Sequence, residues 1–261
     1  MTTIDQWILV FGVINLVLFC IGLLFFMPKK IYTTKIAVFY HNFKSHLPYL
    51  LIIGGVVAVH LIEVNIIDAY ATNWIGMDFA AIFQTIEGDL VFWFSHTWMP
   101  GLVVFFVIMY IVVYPFTLWF SPLYFFVTDE KKAMKTLAYG LLIIYVIALP
   151  FYLFLPVTNV YTFHKIDSAL TMALPTVENF FYATTTCNNC FPSLHVAVTL
   201  LIARSVSLTN NKKYTYFSYF CAIAVIISVI YLAIHWILDV IGGIILAFTV
   251  FFILNHYLKE E

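Results

Sequence analysis

From Trp7 to Pro28 the chain runs for 22 residues without one charged side chain. A single run of that kind could be a buried core helix, but here it recurs. Further apolar runs lie near 47–67, 99–126, 137–155, 192–208, 215–235 and 237–257. Each is close to the roughly 20 residues that a helix needs to cross a bilayer. Lipid offers the backbone no hydrogen-bond partner, so spanning segments of this kind must be helical. Hydrophobic residues make up 64% of the chain and charged residues 10%, where soluble domains carry about 25% charged. A water-soluble globule of 261 residues could not hide 27 Phe and 17 Tyr along with that surplus. The expected fold is all-α, a polytopic membrane helical bundle of about six to seven crossings, with seven the preferred count. A soluble enzyme, a disordered chain and a disulfide-stapled scaffold are excluded. The net charge of −1 gives no basic field for nucleic acid.

The first run is preceded by Asp5 and lacks a small-residue cleavage site, so it is expected to be a span and not a signal peptide. The stretch 73–98 mixes Asp78, Glu87, Asp89 and His96 with Phe and Trp and is expected to be interfacial or re-entrant. Orientation follows from the cations. Lys29, Lys30, Lys35 and Lys44 follow the first span, and Lys131, Lys132 and Lys135 the third. Arg204, Lys212 and Lys213 follow the fifth, and Lys259 the last. These alternate loops hold 11 of the 12 basic residues, which makes their side cytoplasmic under the positive-inside rule. The chain is expected in the cell membrane, with Lys165 alone among cations on the outer side. Asp68, Asp78, Glu87, Asp89, Asp167 and Glu178 make that side acidic, either as a solvated face or to recognise a polar head group. The four cysteines divide by position. Cys20 and Cys221 fall in spans as small hydrophobes. Cys187 and Cys190 form a C-x-x-C pair in the outer loop, where a loop-closing disulfide or two free thiols is expected ahead of redox or zinc chemistry.

Two motifs carry chemistry. The first reads Cys190-Phe191-Pro192-Ser193-Leu194-His195. Pro suits the first helical turn, so Pro192 is expected to open the fifth span. Ser193 and His195 then sit at its outer end, where unpaired N–H groups and the helix dipole attract anions. The second reads His235-Trp236-Ile237-Leu238-Asp239. Its i, i+4 spacing is expected to put His235 and Asp239 on one helical face, within reach of a carboxylate–imidazole bond. Both histidines fall on the extracytoplasmic side of a topology assigned without reference to them. The set suits phosphoryl transfer. Asp239 orients His235 for attack on phosphorus, His195 protonates the leaving oxygen, and Ser193 with the helix N-terminus offsets the oxyanion charge.

Phe-Pro-Ser-Leu-His followed by His-x-x-x-Asp resembles the type 2 phosphatidic acid phosphatase (PAP2) superfamily, nearest the branch that holds the inositol phosphorylceramide synthases. The resemblance covers roughly residues 150–257. It implies a PAP2-like catalytic core over 137–261, behind N-terminal transmembrane helices and an interfacial segment over 1–136, in one integrated membrane domain. It also implies metal-independent cleavage of a lipid phosphoester through a phosphohistidine. By matching position, His235 is the nucleophile, Asp239 its partner, His195 the general acid and Ser193 a phosphate contact. No cofactor or metal is implied. The partners are a lipid phosphate or phosphodiester, an alcohol acceptor in transferase-like members, and the surrounding membrane lipids.

Departures from the family pattern matter as much. The Lys-x6-Arg-Pro motif of phosphatase-type members is absent. Where they place Ser-Arg ahead of the nucleophile, this chain has Ser228 and Val229. Arg204 is the only Arg, nine residues beyond His195 and so about 13 Å down a helix, where it suits a snorkelling anchor. Losing these cations favours the transferase-like branch, and it leaves open a transporter or lipid-binding protein with an idle pocket. Lys165 is expected either to fold over the pocket and contact phosphate or to pair with Asp167 in solvent. His60 and Glu63, at i, i+3 near the outer end of the second span, are substrate-pocket groups or a satisfied interfacial pair.

Overall fold

A computed structural model describes residues 3–257; Lys259 lies outside them. The helices in chain order are α1 (Thr3–Phe26), α2 (Ile36–Ile62), α3 (Asp68–Ile75), α4 (Ala80–Glu87), α5 (Leu90–Ser95), α6 (Pro100–Ile108), α7 (Tyr114–Thr128) and α8 (Lys131–Phe154). The short outer helices α9 (Val160–Phe163), α10 (Ala169–Ala173) and α11 (Val177–Phe181) come next, followed by α12 (Leu194–Ser207), α13 (Lys212–Tyr231) and α14 (Ile237–Tyr257). Among the described residues there is no strand, only one isolated bridge between Val157 and Asn189. The protein is an all-α polytopic bundle.

Six helical segments are long and apolar enough to cross a membrane: Asp5–Phe26, Ile36–Ile75, Pro100–Thr128, Lys131–Phe154, Lys212–Tyr231 and Ile237–Tyr257. The seventh expected crossing is α12. Its 14 residues extend about 21 Å, short of the ~30 Å hydrocarbon core. A helix this short is tolerated because protein surrounds it: Val196, Ala197, Leu201, Ile202, Ala203 and Val206 are all essentially inaccessible. It packs against α7, α8, α13 and α14 and forms the centre of the bundle. By contrast α1 turns most of its side chains outward, as an all-round apolar helix in lipid can.

Two of the spanning segments are interrupted by π turns, Glu63–Ile67 between α2 and α3 and Met109–Val113 between α6 and α7. A π turn inserts an extra residue into the helical repeat and re-aims the side chains that follow, often beside functional sites. The stretch 73–98 folds into short pieces, α4 and α5, joined through Gly88 at φ 63°. These pieces and α9 to α11 cover the end of the bundle that carries the two histidine motifs.

Candidate active site

The close approach of α12 and α14 creates the site. A Cβ on Gly243 would lie 2.6 Å from the Ser193 carbonyl oxygen, and one on Gly242 2.6 Å from the Phe191 ring. The bare backbone of α14 therefore seats the 191–193 segment directly, and Ser193 N donates to the Asp239 carbonyl at 3.0 Å. From the other side, the Tyr152 hydroxyl of α8 donates to the Pro192 carbonyl at 2.6 Å. Pro192 itself stands two residues ahead of α12 and does not open it. Ser193 is the N-cap, its hydroxyl accepting from Val196 N at 3.5 Å. Capping and close packing leave Ser193 fully buried.

His235 is likewise not on a helix. It sits in a bend between α13 and α14, after Ala233 with φ 55°, so the pairing with Asp239 is made by a turn and not by a shared helical face. The bond forms all the same: His235 Nδ1 and Asp239 Oδ2 are 3.1 Å apart. Asp239 Oδ2 also accepts from Trp236 N at 2.8 Å, as a residue in the first helical turn reaching back to the cap position does. Its other oxygen, Oδ1, is buried without a hydrogen-bond partner. The next two N–H groups of α14, on Ile237 and Leu238, donate to the carboxylate of Glu87 at 2.9 and 2.6 Å. Burial pushes the Glu87 carboxyl above its ordinary value, with the nearby Asp239 adding to the effect and the two N–H bonds opposing it. Glu87 thus caps the helix of the motif and is not part of a solvated acidic face.

The two N-termini at the site therefore differ. Carboxylates occupy that of α14, whereas the helix leaves the N–H groups of Leu194 and His195 at the start of α12 without intrahelical partners. Both residues line a cavity of about 430 Å³ that also takes in His235. The rings of His195 and His235 lie 6.1 Å apart across it. Tyr110, carried by the second π turn, places its hydroxyl 3.3 Å from His195 Nδ1. That engages the inner ring nitrogen of His195 and leaves Nε2 as the other.

The structure thus brings together Ser193, His195, His235 and Asp239. It leaves Lys165 apart: that residue is exposed, at φ 56°, and does not line the cavity. Among the described residues no Lys or Arg lines the cavity. Arg204 instead reaches Asn255 near the far end of α14 at 3.5 Å. Cys187 and Cys190 are free thiols. Cys190 is buried and points its Sγ toward the carbonyls of Cys187 and Ile234, 3.8 Å from each; burial raises both thiols above the usual range. Ligand atoms of Cys190, His235 and Asp239 fall within 4.8 Å of one another, a donor set that could hold a metal ion.

Tyr110, Tyr152 and Glu87 were not singled out by sequence reasoning for these roles. Tyr110 sits in an apolar run and Glu87 among other acids, so neither carries a local signal. Each meets the motifs only through contacts spanning 40 to 151 residues of chain.

Fold and site together define a class: a polytopic membrane protein with a buried His–Asp pair facing a second histidine across a largely apolar cavity. A family profile described as the PAP2 superfamily matches residues 78–253, about two thirds of the chain, and the chain belongs to that superfamily. Membership supports phosphatase-type lipid phosphoesterase or phosphotransferase activity in general. No curated protein and no solved structure matches the chain.

Proposed function

We propose that the protein is an integral membrane lipid phosphatase or phosphotransferase, of the inositol phosphorylceramide synthase-like branch, that works through a phosphohistidine on His235. The observation that carries this reading is the His235–Asp239 bond, with His195 facing it in the same cavity. Asp239 holds the Nδ1 proton and presents Nε2 as the nucleophile. His195 donates a proton to the leaving oxygen. The unpaired N–H groups at the α12 N-terminus take the place of the missing cations, since a helix N-terminus carries about half a positive charge. Ser193 serves phosphate through the helix it caps. Residues 137–261 form the catalytic core, and 1–136 supply walls of the cavity through α1, α2 and α7. The cationic loops lie at the bundle end away from the site, which supports an extracytoplasmic active site in the cell membrane.

A phosphohistidine trap with a panel of lipid phosphates and phosphodiesters tests the reading. The wild-type chain is expected to become labelled without added metal, and His235→Ala to lose both label and turnover while still inserting in membranes. Asp239→Asn should cut kcat by about 10⁴, as the loss of an orienting carboxylate does. Near-wild-type turnover by His235→Ala would sink the mechanism. A contact from Lys165 requires its loop to close over the cavity; Lys165→Met then lowers kcat by about 10²–10³. The absence of Lys and Arg from the cavity walls favours one second reading, a lipid-binding or transport protein with an inactive pocket. Lipid transport that depends on His235, with no phosphoester turned over, is its signature.

A further inference from the structure

The second spanning segment brings a polar group to the same cavity for which the chemistry above has no use. Glu63 is fully buried at the start of a π turn. Asn189 Nδ2 donates to its Oε1 at 2.7 Å, and the Tyr145 hydroxyl to its Oε2 at 3.4 Å. His60 Nδ1 lies 3.7 Å from Oε2. A carboxylate at membrane depth is costly and marks function by default. His60, Tyr145 and Asn189 all line the cavity shared by His195 and His235. His60 Nδ1 and Asn189 Oδ1 are buried without hydrogen-bond partners. Asn189 also ties the pair to the site, since it immediately precedes Cys190 and the 191–195 motif.

We propose that His60, positioned by Glu63, binds and deprotonates the hydroxyl of a lipid alcohol, the acceptor that resolves the phosphohistidine. This rests on the reading of His235 as nucleophile. Both Glu63 oxygens already accept bonds from Asn189 and Tyr145, so the carboxylate is not open to a cationic head group and acts on His60 through its charge, 3.7 Å from Nδ1. The group left to meet a ligand is the far ring nitrogen of His60, which suits a hydroxyl. The route in is apolar. Val56, Val57, Leu61, Leu118 and Trp119 line the cavity, and Leu61 and Trp119 are also 41% and 46% exposed on the outer surface of the bundle. Residues of α2 and α7 that line the cavity and also reach the lipid-facing surface suit a hydroxyl carried on a hydrocarbon chain.

In the step itself, the alcohol oxygen forms a bond to phosphorus while the bond from phosphorus to His235 Nε2 breaks. That electron pair stays on His235. The hydroxyl proton passes to His60 Nε2, and Glu63 stabilises the resulting imidazolium. The pair is a looser counterpart, on the acceptor side, of His235 with Asp239, at 3.7 Å where that bond is 3.1 Å.

The test is photolabelling of the full chain in detergent with a diazirine-bearing hexadecanol, compared with its methyl ether. The alcohol is expected to label the cavity and the ether to label weakly. His60→Gln and Glu63→Gln should each lower alcohol labelling about tenfold, the loss of roughly one net hydrogen bond. Gln at 63 retains an acceptor for Asn189, and His60 is partly exposed, which gives two independent variants if one misfolds. Equal labelling by alcohol and ether, or alcohol labelling undiminished in both variants, overturns the proposal. Labelling does not depend on turnover, so failure to trap a phosphohistidine counts against His235 alone. Where the trap succeeds, adding hexadecanol should give a transfer-to-hydrolysis ratio about tenfold lower in either variant than in the wild type.

Discussion

His195 sits between two aromatic rings, with the Tyr110 and Tyr114 centroids 4.5 and 5.1 Å from its own. Such packing fixes the imidazole plane, and the Tyr110 hydroxyl at Nδ1 selects how the ring presents its far nitrogen. Tyr110→Phe keeps the ring and removes the hydroxyl, so it is expected to lower kcat about tenfold with little change in KM, the size of one net hydrogen bond. Steady-state kinetics of the purified variant check this, and an unchanged kcat would leave orientation to the rings alone. His195, His235 and Asp239 were legible in the sequence because proline, serine, histidine and aspartate at fixed short spacings are rare within apolar runs. Tyr110 was not, since one tyrosine among 17 carries no signal until the fold selects it.

At the scale of elements, the site depends on two helix N-termini held at contact distance with their dipoles treated differently. Gly243→Ala would drive a methyl group into the Ser193 carbonyl and force α12 and α14 apart. Overpacking of this kind costs about 1–3 kcal/mol, so a lower unfolding midpoint is expected together with a drop in kcat. Stability lost without any loss of kcat would show that the spacing is not what positions His195. Glu87→Ala removes the acceptor for two α14 N–H groups at once and should destabilise by about 1–3 kcal/mol. Thermal unfolding in detergent checks it; an unshifted midpoint would mean that water replaces the carboxylate at no cost. The helices themselves follow from the apolar runs. Their interruptions do not: both π turns lie inside runs whose composition reads as continuous helix, and α12 reads as a full-length span although only 14 of its residues are helical. Periodicity reports a helix, whereas its exact register depends on what packs beside it.

For the whole molecule, the outer cap of short helices makes stability depend on pH. His164 stacks on Phe92 with centroids 4.2 Å apart, and its Nε2 lies 3.1 Å from Gln84 Oε1. Burial lowers its affinity for a proton below the ordinary value, with Asp89 opposing. The charged form is therefore disfavoured in the folded state. The stability this contributes is complete above the unfolded pKa of about 6.5 and is lost as pH falls through the lower folded value. Unfolding midpoints measured between pH 8 and pH 5 should decline more steeply for the wild type than for His164→Gln; parallel profiles would place the acid sensitivity elsewhere.

The sequence by itself determined the solvent of the fold, its all-helical class and the motifs that meet at the candidate site, because hydrophobic run length and residue type act locally and leave no alternative in lipid. Only the tertiary structure decided that His235 meets Asp239 through a bend, that Ser193 is a cap, that Glu87 occupies one helix terminus and leaves the other open, and that His60, backed by the buried Glu63, lines the same cavity. These are contacts between segments far apart in the chain. They are set by which helix backbones can approach, at Gly242 and Gly243 above all, and close packing of that kind cannot be read from one segment at a time.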